Sequence, residues 1–147
     1  MKKIVCIIAV VLMVASVVYA QTKAAKGITA QDLPAMKGTW RGMLSYGTVT
    51  DMGNSPAKLE ILNDSVPLKS KLTVENPPAA ATQALGLQSG TNTFETDGVI
   101  TSHGTLLFAD PKGTGVGFFE VTKSGDNKIT IFWWYSWLKG TGSFTKK

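Results

Sequence analysis

From Met36 to the end of this 147-residue chain, apolar residues recur mainly at every second position, in short runs separated by glycine, proline, asparagine and aspartate. That spacing sends alternate side chains to opposite faces of an extended chain, so each run can hide its apolar face only by joining others in a sheet. Gly38 to Tyr46 reads as the first strand, with Trp40, Leu44 and Tyr46 on one face and Thr39, Arg41 and Ser45 on the other. Lys58 to Ile61 and Leu68 to Val74 alternate in the same way on either side of Asn63-Asp64, as a hairpin does.

Asn76 to about Asn92 breaks the pattern with prolines, alanines and glycines, and reads as a long irregular segment of the kind that forms lids. Further strands are expected around Phe94 or Val99, over Gly104 to Ala109, over Gly115 to Thr122 and Lys128 to Leu138, and over Gly140 to Lys146. Lys123-Ser124-Gly125-Asp126-Asn127 joins two of these, with residues that tolerate positive φ. The expected fold is all-β, a single antiparallel up-and-down β-barrel of about eight strands with no convincing helix. Closing the first strand on the last removes the open edges that invite aggregation.

The chain begins differently. Met1-Lys2-Lys3 is basic, Ile4 to Val18 is almost unbroken apolar sequence, and Val18-Tyr19-Ala20 has small residues where a signal peptidase needs them. Residues 1–20 are therefore read as a signal peptide, 21–35 as a flexible lead-in with one helical turn at Thr29 to Pro34, and 36–147 as the barrel domain. The expected destination is periplasmic or secreted, with no stable membrane insertion after cleavage. Cys6 is the only cysteine and lies inside the apolar run, so a lipid anchor is not expected, and the processed chain has neither disulfide nor thiolate chemistry.

Without Lys2 and Lys3, thirteen basic residues stand against ten acidic ones, a mild excess scattered along the chain. A nucleic-acid partner needs a clustered basic stripe and is not expected. His103 is the only histidine, so no histidine pair can hold a metal, and Ser102-His103 with Asp97 lacks the nucleophile turn of a hydrolase. Most acids sit in turns, where aspartate caps the backbone. Glu120 lies within a strand, and the favoured register puts Phe119 and Val121 inside and Glu120 in solvent. The glycines of Gly113-Thr114-Gly115-Val116-Gly117 begin a strand rather than a helix, so they make no phosphate loop. No cofactor and no catalytic set is expected; the chain reads as non-enzymatic.

Gly38-Thr39-Trp40 resembles the opening strand of the calycins, the lipocalin and avidin group, and Gly140 to Lys146 resembles the end of an avidin-type chain. The resemblance implies an up-and-down barrel able to hold a small molecule. Two features depart from it. Lipocalins cover the first-strand tryptophan with an arginine from near the last strand, whereas the one arginine here is Arg41, leaving Lys139 or Lys146 as imperfect substitutes. Ser45 and Tyr46 are the only partial counterparts of avidin's polar biotin contacts, so biotin is not expected as a ligand.

Ile129 to Leu138 contains three of the four tryptophans. Strict alternation puts Ile129, Ile131, Trp133, Tyr135 and Trp137 on one face and Phe132, Trp134 and Leu138 on the other. A β-bulge at Trp133-Trp134 would change these facings. Trp40, Tyr46, Trp133, Tyr135 and Trp137 are the expected ligand-binding residues for a small hydrophobic or aromatic molecule in the barrel mouth, under a flap made by Pro77 to Asn92. Phe132 and Trp134 are the expected interface residues, for a homodimer. The competing expectation is a filled barrel that contacts protein or glycan in the cell envelope through a surface aromatic patch.

Overall fold

A computed structural model describes residues 27–47, 51–110, 117–135 and 138–147. The expected signal peptide and Trp137 lie outside these residues. Among the described residues there are eight strands: β1 (Gly38–Ser45), β2 (Asn54–Ile61), β3 (Leu68–Glu75), β4 (Thr91–Ile100), β5 (Leu106–Ala109), β6 (Phe118–Gly125), β7 (Lys128–Tyr135) and β8 (Leu138–Lys146). Each pairs antiparallel with its neighbour in sequence, and β1 pairs with β8, so the all-β up-and-down barrel is closed.

Alternation along the strands matches burial. In β8, Leu138, Gly140, Gly142 and Phe144 are buried while Lys139, Thr141, Ser143 and Thr145 are exposed. The interior is filled by pairing large residues with absent ones across the register. Gly98 faces Phe108, Gly140 faces Trp133 and Gly42 faces Phe144. A Cβ at Gly98 would lie 2.5 Å from the Phe108 ring, and one at Gly140 would lie 2.5 Å from the Trp133 indole nitrogen. The glycines therefore leave the space that the aromatic rings occupy, which is how a small barrel reaches the density of a packed core. An apolar interior inside a wall carrying Arg41, Lys58, Glu60, Lys69 and Lys71 is the reverse of the polar lumen and apolar belt of a membrane-spanning barrel.

Three expectations change. The segment 76–92 contains a helix, α2, at Ala79–Leu85; α1 is the short helix at Leu33–Met36. Alanine is the best helix former, Pro78 stands at the N-cap, and Gly86 at φ 65° ends the helix in the left-handed conformation. The same residues that break a strand pattern thus delimit a helix. The strand expected over Lys128 to Leu138 ends at Tyr135, and Leu138 opens β8 as its register partner. Cross-strand partners share a face, so Leu138, an odd number of positions from its partner Tyr135, has the opposite parity to that of a continuous strand: it is inside, 3 % exposed, not outside. No register shift falls at Trp133-Trp134; the irregularity of that ladder lies between Lys123 and Gly125.

Finally, residues 28–35, expected within the lead-in, pack with Met36 against the body. Ile28, Leu33 and Met36 are each 2 % exposed. The anticipated helical turn is present as a 3-10 turn at Ala30–Asp32 running into α1. The Asp32 carboxylate accepts hydrogen bonds from the Thr29 amide (2.9 Å) and hydroxyl (2.7 Å), which fixes the start of the turn. The Ile28 amide donates to Gly104 O at 2.7 Å, tying this segment to the β4–β5 loop.

Candidate functional site

Strand direction gives the barrel two ends. The N-terminal segment closes one. The other, the mouth, collects the β1–β2 and β3–β4 connections, and α2 lies across it.

Trp40 belongs to the first end and not to the mouth, which corrects its expected role in ligand binding. It is 1 % exposed. Its indole N–H donates to Met36 O at 2.8 Å, satisfying a carbonyl at the end of α1. The Lys146 ammonium stands 5.5 Å from the ring centroid and donates to Ala35 O at 2.5 Å. Lys146 thus occupies the position over the tryptophan for which the sequence offered no arginine, while Lys139 points outward and is exposed.

Tyr46 and Trp133 do meet at the mouth. Their rings are 5.5 Å apart, edge to face, the preferred arrangement of two aromatic quadrupoles. The Trp133 N–H donates to Ser45 O at 3.0 Å, and the Tyr46 hydroxyl shares a 2.7 Å hydrogen bond with the buried Ser55 hydroxyl. Burial pushes the Tyr46 phenol above its ordinary value of 10.0, and the Ser55 bond opposes part of that rise. Tyr135 is at the rim, 38 % exposed, and does not line the space beneath.

That space is small. Leu44, Tyr46, Leu72, Val74, Leu85, Leu87, Phe94 and Trp133 line a partly open cavity of about 30 Å³. This is the volume of about one water molecule, against the roughly 300–1,000 Å³ of ordinary small-molecule sites. Ala81 of α2 is fully buried, and Leu85 and Leu87 fill the mouth from above. The Thr82 hydroxyl donates to Pro77 O (3.2 Å) or Pro78 O (3.0 Å), holding the first turn of α2 to the chain before it.

The outer wall is uneven. Over β3 and β4, Lys69 bonds Asp97 at 2.7 Å and Lys71 faces Glu95, so the charges there are matched among themselves. Over β5 to β7 the outward residues nearer the mouth are mostly apolar, with Glu120 among them. Phe118 and Phe132 are each 46 % exposed, Trp134 is partly exposed, and Val99 extends the patch at 47 %. Register places Phe118 beside Trp134, with ring centroids 5.6 Å apart and planes tilted 44°. Phe132 and Trp134, the expected interface pair, are therefore both on the outside, joined by Phe118, which alternation places opposite Phe119 but which the sequence reading did not single out.

Glu120 faces outward between Leu107 and Phe132, and accepts a hydrogen bond from the Thr105 hydroxyl at 2.5 Å. His103 is exposed beside Gly104, at the end opposite the mouth. Among the described residues no group of three or more His, Cys, Asp and Glu side chains is placed to hold a metal ion. Comparison with protein-family models, with curated proteins and with solved structures finds no match to this chain. The fold is compatible with the calycin resemblance, and the function rests on the residues themselves.

Proposed function

We propose that this is an exported, non-catalytic binding module of calycin-like architecture, with a filled barrel, that contacts an envelope component through the aromatic face of β6 and β7. The observation that carries this reading is the contrast between interior and wall. The barrel keeps about 30 Å³ of space at its mouth, while Phe118 and Phe132 are exposed on the outer wall beside a half-buried Trp134. Scattered single apolar residues on a surface are ordinary, and neighbouring exposed aromatic rings are what support a contact at this face. Co-sedimentation with isolated cell-envelope fragments tests the reading. The chain is expected to sediment with them, and a Phe132→Ser, Trp134→Ser variant with an unchanged circular dichroism spectrum is expected to remain in the supernatant. Equal sedimentation of the two would reject it.

A second reading, carriage of a small hydrophobic or aromatic molecule in the mouth, is favoured by one specific observation. The cavity is lined by apolar and aromatic groups, and Tyr46 there carries the single hydroxyl of the lining. A ligand would have to displace Leu85 and Leu87 by lifting α2. Quenching of Trp133 emission by a dansylated fatty acid, lost in a Trp133→Phe variant, would support it; unchanged emission up to millimolar probe would count against it.

A further inference from the structure

Resting on the interaction-face reading, we infer that the partner of the β6–β7 face is a saccharide chain, held on Phe118, Phe132 and Trp134 with Glu120 and Lys139 binding its hydroxyl groups. Two features of the face decide the class of partner.

The first is area. The apolar residues occupy two neighbouring rows across β4 to β7. With strands about 4.8 Å apart and residues about 3.3 Å apart along each strand, that is on the order of 200–300 Å². A stable protein–protein contact, including a dimer of this chain, needs about 800 Å² from each partner. A chain of sugar rings needs far less, because each ring is recognised by one aromatic side chain and its neighbours.

The second feature is polarity within the patch. Glu120 lies in the row between Leu107 and Phe132, and Lys139 is the register partner of Trp134. Covering a carboxylate with lipid tails or apolar protein surface strips its water without replacement, at a cost of several kcal/mol. A sugar avoids that cost. The C–H bonds on the flat face of a pyranose meet the electron-rich face of an aromatic ring, while hydroxyls at its edge donate to a carboxylate or accept from an ammonium. A carboxylate offers about four acceptor sites, of which the Thr105 hydroxyl uses one. The 44° tilt between Phe118 and Trp134 provides two facets in place of one plane. Successive rings of a twisted chain can use both.

The test is isothermal titration of the chain, as recovered from the cell, with cellohexaose and with chitohexaose, together with co-sedimentation on purified peptidoglycan sacculi. At least one probe is expected to bind, with Trp134→Ala weakening binding by about tenfold or more and Trp134→Phe retaining most of it. Glu120→Gln, which keeps the shape and removes the charge, is expected to weaken binding several-fold. Absence of binding to all three probes, or equal affinity of the Trp134→Ala variant, would overturn the proposal. A dimer in sedimentation velocity that Trp134→Ala dissociates would also overturn it, by showing that the face pairs with itself. If the saccharides fail while sedimentation with envelope fragments still depends on Phe132 and Trp134, the saccharide class falls and the interaction face remains.

Discussion

At the end closed by the N-terminal segment, Trp40 is covered from three directions: Met36 accepts its N–H, Lys146 stands over its ring, and Leu33 and Ile28 are buried with it. At the mouth, Tyr46 and Trp133 are equally aromatic and nearly as buried, yet a seven-residue helix with a single fully buried side chain, Ala81, lies across them and leaves a void. The difference is in how each closure is tied down. The first engages backbone hydrogen bonds, a cation over a ring and a run of chain continuous with β1. The second rests on two leucines and a short helix whose hydrogen bonds, such as Asn76 N–H to Gly90 O at 2.7 Å and the Thr82 hydroxyl to Pro78 O, close the segment on itself and its base. In a barrel whose middle is filled by matched glycines and aromatics, the mouth is where Leu85 and Leu87 leave unfilled space beneath α2.

The sharpest way to break this comparison is to truncate one side chain at each end. Trp40→Ala is expected to destabilise the protein by about 3–5 kcal/mol, the range for removing a large buried aromatic from a site that cannot collapse. Leu85→Ala, beside an existing void and under a helix free to settle, is expected to cost only about 1–2 kcal/mol, below the usual range for buried leucine. Urea denaturation of both variants measures the pair. Comparable losses would mean that α2 is as integral to the barrel as the N-terminal segment, and would remove the structural basis for carriage at the mouth.

Much of this architecture was legible in the sequence, because alternation reports which face of a strand is buried. The inward positions of Trp40, Leu59, Leu72, Ile129, Ile131 and Trp133 all follow from it. What alternation along one strand cannot report is what stands opposite. The pairing of Gly98 with Phe108 and Gly140 with Trp133 exists only once the register is known, so the glycines read as points of bending rather than as space for rings. Leu138 falls on the other face for a related reason: alternation counted from Lys128 runs on past Tyr135, where β7 ends, whereas Leu138 already belongs to β8 and shares a face with its partner Tyr135. α2 was missed because Pro78 and Gly86 were counted as breakers, when the alanines between them make them the two ends of a helix. For the candidate site, Phe132 and Trp134 were identified as outward, but the tryptophan of the opening strand was assigned to the mouth because its family resemblance outweighed its place near the start of β1. Its neighbours there are Leu59 and Lys146, its register partners on either side.

A smaller change sharpens the account of the closed end. Lys146→Ala removes a cation from the Trp40 ring and a donor from Ala35 O, and is expected to cost about 1 kcal/mol. Lys146→Arg should match or exceed the parent, since a planar guanidinium stacks on a ring as an ammonium cannot. The measurement is the denaturation midpoint at low and high salt. If Lys146→Ala were neutral, Lys146 would be a bystander over Trp40, and closure at this end would rest on apolar packing alone.

The smallest expected effect is confined to alkaline pH and belongs to the mouth. Tyr46 is buried against Trp133, and its phenol is raised above 10.0 mainly because burial penalises the phenolate. In the unfolded chain the same group ionises at its ordinary value. Between the two values the unfolded state holds fewer protons than the folded state, so unfolding becomes more favourable as pH rises. The contribution from Tyr46 is thus fully present below about pH 10 and is lost as pH climbs towards and through the folded value. A Tyr46→Phe variant gives up the hydrogen bond to Ser55, and with it some stability at neutral pH, but has no phenol to ionise. Its stability relative to the parent should therefore recover above pH 10, and the two denaturation curves should converge. If the difference between them stayed constant to pH 11, Tyr46 would be titrating as an exposed tyrosine does. Water would then reach beneath α2, and the mouth would be open in solution rather than sealed.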